Sequence, residues 1–169
     1  GAMGTDYYPR LVAVIEDPGA VNKLVNEQME VALLLAAPVL LSMLGLAPWV
    51  IEMLYSNDFG HAVPVLRWQV LGDILKIASW PLGFILLASG AGKTYMATEW
   101  AAISVFAFST WLFLPIAGLV ATGLSFLIMY IVYLSLVFWL AKLRMGFHLH
   151  QRVLRLLMFL VTAASSVLV

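Results

Sequence analysis

Long uncharged stretches, separated by short clusters of charged residues, make up most of the chain. No charge lies between Glu30 and Glu52, and a second apolar stretch runs from Val65 to Gly90. The segment from Trp100 to Ala141 is also uncharged and is long enough for two crossings joined by a turn near Pro115. An α-helix needs about 20 mostly apolar residues to cross a membrane. The pattern therefore predicts four transmembrane helices, at about residues 30–54, 64–88, 94–114 and 118–141.

A polar segment precedes the first predicted span. Asp17-Pro18 is typical of a helix start, with the aspartate as cap and the proline at the first helical position. Apolar residues then recur at helical spacing from Val21 to Met29, which favours an amphipathic helix on the membrane surface. We therefore expect residues 1–29 to form a cytoplasmic segment with an interfacial helix; a plain polar approach to the first span is the alternative.

The C-terminal part contains a basic loop at residues 142–155 and an apolar run at 156–169 that is typical of the start of a fifth transmembrane helix. Because the chain begins with Gly1 rather than methionine and ends inside this run, we expect it to be a piece of a longer protein. Basic side chains in short loops mark the cytoplasmic side. The orientation that follows places the loops near Gly92 and Gly146 in the cytoplasm, and those near Asn57 and Ile116 in the periplasm.

Composition agrees with a membrane location. Hydrophobic residues make up 63% of the chain and charged residues 11%, and the mean hydropathy is +1.00. Soluble proteins carry about 25% charged residues. We therefore predict an all-α, polytopic transmembrane helix bundle with four full spans and a truncated fifth. A net charge of zero without a basic run argues against nucleic acid as a partner. The absence of cysteine removes thiolate chemistry and cysteine-ligated metals.

The second predicted span contains charges that are expensive at that depth. Asp73 and Lys76 lie near its middle, where a charged side chain costs roughly 2.5 to 3.5 kcal/mol on insertion scales and usually faces protein or a water-filled cavity. At about 100° per residue, the polar and small residues of this helix fall within one arc of roughly 120°. They are Gln69, Gly72, Asp73, Lys76, Ser79, Trp80 and Gly83.

Two interpretations of this arc stay open at the level of the sequence. Asp73 and Lys76 are three residues apart, so they can pair on one helix face and serve only to fix helix packing. Alternatively they belong to a translocation path or its gate, together with Gln69 and Trp80. Arg67 lies opposite the arc, near the end of the span, where its long side chain can reach the interface.

Other candidate residues carry weaker signals. Glu99, just inside the third span, is either a proton or cation site or a solvated interfacial carboxylate. The stretch from Gly90 to Thr94 resembles the end of a phosphate-binding loop but lacks its first glycine, so Lys93 is better explained as a cytoplasmic anchor. His148 and His150 do not share a helix face, and no metal site is expected. The aromatic residues Trp111, Tyr130, Tyr133 and Trp139 are typical of belt or packing positions.

No set of residues assembles a catalytic centre. A hydrolase or transferase needs a nucleophile, a base and an orienting group at one depth, and the histidines fall in loops on opposite sides of the predicted membrane. No acidic cluster suited to diphosphate-bound magnesium occurs either. We therefore predict that the protein is not an enzyme and needs no cofactor.

Several segments, in this order along the chain, resemble the C-terminal half of a known family. They are GTDYYPRL at 4–11, VNEQ at 25–28, APWVI at 47–51 with Leu54-Tyr55-Ser56, LRWQVLGD at 66–73 with Lys76, and WPLG at 80–83. Together they resemble O-antigen translocases, the Wzx-type lipid-linked oligosaccharide flippases of the multidrug/oligosaccharidyl-lipid/polysaccharide exporter superfamily. The resemblance extends from Gly4 to about Phe147.

The resemblance implies a bacterial inner-membrane carrier with two six-helix lobes around a partly cationic cavity. Such a carrier moves an undecaprenyl-diphosphate oligosaccharide outward by alternating access, for O-antigen and lipopolysaccharide biosynthesis. Asp73 and Lys76 would face the cavity, and the segment containing Asp6 and Arg10 would close a cytoplasmic helix end. Membrane lipids and polysaccharide polymerase or assembly proteins would be its partners.

Two other functions are compatible with the same residues. A drug or cation antiporter of this superfamily would carry its coupling carboxylates outside this chain. A non-transporting membrane scaffold for glycan assembly would use Asp73 and Lys76 only to hold helices together. Replacing both residues by apolar ones separates the scaffold from a carrier, because packing can survive that change and a transport path should not.

Overall fold

The computed structural model describes residues 2–54 and 62–167. These residues form six α-helices and no strand: α1 (Ala2–Ala13), α2 (Pro18–Leu54), α3 (Ala62–Ala88), α4 (Gly92–Ala117), α5 (Val120–Met145) and α6 (Gln151–Ser166). The predicted all-α bundle is confirmed. The loop near Asn57, which we expect in the periplasm, lies outside the described residues.

Four of the helices are long and apolar enough to cross a membrane. The qualifying segments are Pro18–Leu46, Val63–Ala88, Gly92–Ala117 and Val120–Met145. The three later segments have 26 residues each, which at 1.5 Å per residue is about 39 Å. A hydrocarbon core is about 30 Å thick, so each segment is sufficient for a crossing. The chain is therefore a multi-pass membrane protein.

The first membrane-crossing helix differs from the sequence-based expectation. We expected an interfacial helix to end near residue 29 and a separate span to begin at residue 30, but α2 is continuous from Pro18 to Leu54. Val21, Val25 and Met29 are buried within the bundle. This apolar stripe is buried because α3 and α6 pack against α2 and cover it.

Helix α3 is the centre of the bundle. Among the 18 consecutive residues that qualify α3 as a span, 61% are buried, against 11% in the corresponding stretch of α4. Its apolar side, which includes Val70, Ile74 and Leu82, is fully covered. Gly72 of its arc packs against Phe126 and Leu127 of α5, and Gly123 of α5 packs against α3 at Val65 and Trp68. Small residues permit such contact between membrane helices, where packing rather than hydrophobicity drives association.

Helix α1 packs on α3 near the end that precedes the loop at Gly90. Tyr7 is 2% exposed, and its hydroxyl donates a hydrogen bond of 3.1 Å to the carbonyl oxygen of Pro81. Its ring meets Phe84 edge to face, with 5.8 Å between centroids. Burial raises the pKa of the Tyr7 phenol above its ordinary value of 10.0.

The connection between α5 and α6 is fastened to α2 by two asparagine side chains. Helix α5 ends where Gly146 adopts a left-handed conformation with φ of +62°, and residues 147–150 leave it without regular structure. The Asn22 Oδ1 atom accepts from the His148 backbone N–H at 2.9 Å, and Asn26 Oδ1 accepts from that of His150 at 2.7 Å. The Asn26 Nδ2 atom donates to the His148 carbonyl at 3.0 Å. We call this arrangement the asparagine clamp.

Candidate functional site

A cavity with polar groups in a mostly apolar lining opens between α3, α4 and α5, and we call it the polar cavity. Its volume is about 330 Å³, and its lining includes Lys76, Ser79, Trp80, Tyr95, Glu99 and Tyr133. Lys76 lies twelve residues before the end of α3, and Tyr133 lies twelve before the end of α5. At 1.5 Å per residue both are about 18 Å from those helix ends, near the middle of a bilayer core.

Lys76 supplies the positive charge in the lining of the cavity. Its side chain is 54% exposed, and its Nζ atom lies 3.9 Å from Asp73 Oδ1. The Nζ atom also lies 5.8 and 5.9 Å from the ring centroids of Phe126 and Tyr130, within the range of a cation–π interaction. The ion pair is therefore loose and half open. It partly neutralises the ammonium group and leaves it accessible from the cavity.

Glu99 supplies a carboxylate on the wall of the cavity that α4 forms. The Tyr133 hydroxyl donates a hydrogen bond of 2.5 Å to Glu99 Oε1, joining α5 to α4. The ring of Tyr95 and the hydroxyl of Tyr133 lie directly against α3 at Gly83, where an added Cβ atom would be 3.3 Å from each. A glycine at this position thus makes room for the two tyrosines beside the carboxylate. The structure brings Glu99 into the same cavity as Lys76.

Ser79 is another polar residue of α3 in the lining of the cavity. Its side chain is buried, and its hydroxyl donates a hydrogen bond of 2.8 Å to the backbone carbonyl of Lys76 one turn earlier. This bond satisfies the hydroxyl proton within the helix, as serine does in apolar surroundings. The wall therefore offers one cation and several weak hydrogen-bonding groups.

The structure separates the sequence-predicted residues into two groups. Lys76, Trp80 and Glu99 line the cavity, and Asp73 is next to it through its pair with Lys76. Trp80 is 41% exposed and packs edge to face on Phe84 at 5.3 Å. These residues form one site, which joins three members of the arc to one residue of the following helix.

The remaining candidates lie elsewhere. Gln69 is exposed on α3 two turns before Lys76. Asp6 and Arg10 form an exposed pair on α1 at 4.0 Å. Arg67 is half-buried, and its Nε atom is buried without a hydrogen-bond partner among the described residues. None of the four lines the polar cavity.

Two tyrosines are functional candidates that the sequence analysis missed. Tyr133 is not a belt residue, because it is buried and bonded to Glu99. Tyr95 precedes Glu99 by four residues, so both lie on one face of α4, with Ala102 following at the next turn. That spacing is the one signal in the sequence that could have indicated a polar face on the third span.

The chemistry of the site is that of binding. Within the described residues no group of three or more histidine, aspartate or glutamate side chains is placed to hold a metal ion. The cavity combines a lysine, a glutamate and tyrosine hydroxyls, which can contact an anion and hold a proton. It lacks the converging nucleophile, base and orienting group that a hydrolase or transferase needs.

Comparison with known proteins gives a partial match. The lipid III flippases of Escherichia coli (strain K12) and Shigella flexneri are each 29% identical to the chain over 92 residues. The matched segment is 54% of this chain and 22% of each relative, so the chain spans about a fifth of the length of the curated relatives it matches. No family model matches the chain, and no solved structure matches it significantly. The similarity supports a flippase family and does not single out O-antigen translocases.

Proposed function

We propose that this chain forms part of one lobe of a two-lobe carrier that flips lipid-linked precursors across a bacterial inner membrane. The observation that carries the proposal is Lys76, a half-exposed cation in a polar cavity at the middle of a membrane bundle. The similarity to two lipid III flippases supports the same class of cargo. The specific cargo we propose is an undecaprenyl-diphosphate-linked oligosaccharide repeat unit for O-antigen or other polysaccharide biosynthesis, with polysaccharide polymerase or assembly proteins as partners.

Lys76 is suited to transient contact with a diphosphate. A fully paired lysine would not bind an anion, and an isolated one at this depth would be costly and would hold the anion tightly. The 3.9 Å separation from Asp73 lies between these extremes. Asp73 then acts as the modulator of the Lys76 charge, which permits both capture and release as the carrier alternates between its two faces.

Residues along the same helix extend the proposed path. Gln69 and Trp80 are exposed on the arc that carries Lys76, one on either side of it. Their amide and indole groups can hydrogen-bond or stack on a polar headgroup as it passes. We assign Asp6, Arg10 and Arg67, which lie outside the cavity, to gating or interfacial roles.

Substitution of Lys76 in the full-length protein tests the proposal. We expect Lys76→Ala to abolish complementation of surface polysaccharide in a strain that lacks the carrier, while the protein stays in the membrane at near-normal abundance. Lys76→Arg should retain part of the activity because it keeps the charge. Asp73→Asn should alter the pH or ion dependence of export more than the protein level. Immunoblotting of membranes and quantification of surface polysaccharide give the two readouts.

A double variant separates the carrier from the scaffold. Asp73→Leu with Lys76→Leu removes both charges together, so no unpaired charge stays buried and helix packing can persist. A carrier should lose export completely. Normal amounts of polysaccharide from this variant would show that the pair is structural and that Lys76 is not on the path.

A further inference from the structure

The Glu99 carboxylate is not used by the proposed contact between Lys76 and a diphosphate. It nevertheless lines the same cavity and is held by a short hydrogen bond from Tyr133. The charged and titratable groups around this site come from three helices: Asp73 and Lys76 of α3, Tyr95 of α4, and Tyr130 and Tyr133 of α5. Glu99 is therefore the one acidic group in the described lining of the cavity.

We propose that Glu99 is a proton-binding site that controls the affinity of the cavity for an anionic headgroup. This inference rests on the proposed function, because it assumes that Lys76 contacts the anion. With Glu99 ionised, Asp73, Lys76 and Glu99 together carry a charge of −1, which repels a diphosphate. With Glu99 protonated, the three carry no net charge, and the attraction of Lys76 for the anion is less opposed.

The geometry favours a proton over a metal cation as the ligand of Glu99. A bound metal cation needs several oxygen ligands with lone pairs directed at it, and the lining offers one carboxylate. The Tyr133 hydroxyl turns its proton toward Glu99, and the Ser79 hydroxyl turns its proton toward a backbone carbonyl. The ammonium group of Lys76, on the opposite wall, would also repel a metal cation.

Proton binding at Glu99 and diphosphate binding in the cavity should each strengthen the other. Because the protonated form of Glu99 favours the anion, the affinity for a diphosphate should rise when Glu99 takes up a proton. By reciprocity, binding of the diphosphate must promote uptake of a proton. Couplings of this kind are typically 5- to 150-fold, and we expect about tenfold for one charge across a cavity of this size. The cargo and a proton would then occupy the cavity together.

The test uses farnesyl diphosphate, a short isoprenoid diphosphate, with the full-length protein purified in detergent. Its dissociation constant is measured by calorimetry between about pH 5 and pH 8, in pairs of buffers with different ionisation enthalpies. The paired buffers report the number of protons taken up per ligand. The ionisation of the ligand itself is common to all variants, so differences between their pH profiles belong to the protein.

Three variants give distinct expectations. Glu99→Gln should bind more tightly than the wild type at about pH 8, with a smaller difference at about pH 5, and its profile should contain only the ionisation of the ligand. Tyr133→Phe removes the hydrogen bond that holds the Glu99 carboxylate, so its pH profile should differ from that of the wild type. Glu27→Gln, an exposed acid paired with Lys23 on α2, is the matched control and should follow the wild type.

The outcomes distinguish this inference from the function on which it rests. If Glu99→Gln and the wild type have parallel profiles and equal proton uptake, Glu99 is not the coupling site, although binding at Lys76 stands. If the wild type fails to bind the diphosphate, or Lys76→Ala binds it equally well, the proposed function fails as well. If affinity depends on sodium at constant pH and Glu99→Gln removes that dependence, the ligand is a metal cation and the proton assignment is wrong.

Discussion

Glycine residues set how closely the backbones of α3 and α5 approach. A Cβ atom at Gly123 would lie 2.5 Å from the carbonyl oxygen of Val65, a backbone atom that cannot turn aside. A Cβ atom at Gly72 would be 2.5 Å from the Phe126 ring. That ring is one of the two that face the Lys76 ammonium group. The packing of these helices is thus linked to the position of the cation in the cavity.

The effect of an alanine substitution on the unfolding temperature should depend on which atoms the new methyl group contacts, and three glycines test this. Gly123→Ala should lower the unfolding temperature most, because overpacking costs about 1–3 kcal/mol. Gly72→Ala should cost less, since an aromatic ring can turn, but should weaken diphosphate binding. Gly45→Ala is the control: none of the residues that the structure describes lies within 4 Å of a Cβ there, and removing a helical glycine gains about 0.5–1 kcal/mol. Scanning fluorimetry in one detergent gives the order, and equal temperatures for Gly123→Ala and Gly45→Ala would contradict it.

The buried phenol of Tyr7 makes part of the stability depend on pH. Its pKa is raised in the folded state, so its contribution is complete below the unfolded value of 10.0 and is lost as the pH rises above it. Tyr7→Phe should reduce this alkaline loss and should cost about 0.5–1.5 kcal/mol near neutral pH, through the hydrogen bond to Pro81. Tyr8→Phe, at an exposed neighbouring site, is the control. Unfolding temperatures measured from neutral to alkaline pH would refute the assignment if both variants matched the wild type.

Among the secondary-structure elements, the irregular segment 147–150 is the one most dependent on a neighbour. A backbone away from helices needs other partners for its polar groups, and here the asparagine clamp provides them. Asn22 and Asn26 are four residues apart on α2, so their amides point in the same direction. They fix the position at which α6 begins and hence which side of α6 packs on α2 and α3.

Removing one amide should loosen this segment without unfolding the bundle. Asn26→Ala leaves the His150 N–H and the His148 carbonyl without these bonds, at a cost of about 1–3 kcal/mol. We expect faster hydrogen exchange in peptides that cover residues 146–155, while peptides from α3 keep wild-type rates. Lys23→Ala, at an exposed position on the same helix, should change neither. Unchanged exchange in Asn26→Ala would show that the clamp does not hold the segment.

At the scale of the whole molecule, the orientation in the membrane is open to direct measurement. The chain has no cysteine, so single cysteines can report the location of each loop. We expect an impermeant maleimide to label position 116 in intact spheroplasts, and positions 92 and 151 only after lysis. Ile116 is exposed, and a side chain at Gly92 meets nothing within 4 Å, so both sites tolerate the change. Labelling of position 92 in intact spheroplasts would show that the orientation in the membrane is the reverse of the one we expect.

Much of the architecture follows from the order of residues alone. Uncharged runs of sufficient length must be helical in a membrane, because no other local structure satisfies every backbone hydrogen bond there. The arc on α3 was likewise predictable, since the 100° spacing of a helix places Lys76 and Trp80 on one side. These properties are local: they depend on residues within a few turns of each other.

The tertiary structure alone decided which polar groups meet. The sequence does not indicate that Tyr133 contacts Glu99, because they lie on different helices and are 34 residues apart. From the sequence we also expected an interfacial helix separate from the first span. In the structure the two form one long helix, and its apolar stripe from Val21 to Met29 is buried by α3 and α6. Hydropathy distinguishes apolar from polar surroundings but not lipid from protein. Helix packing makes that distinction, and it joins Lys76 and Glu99 in one cavity.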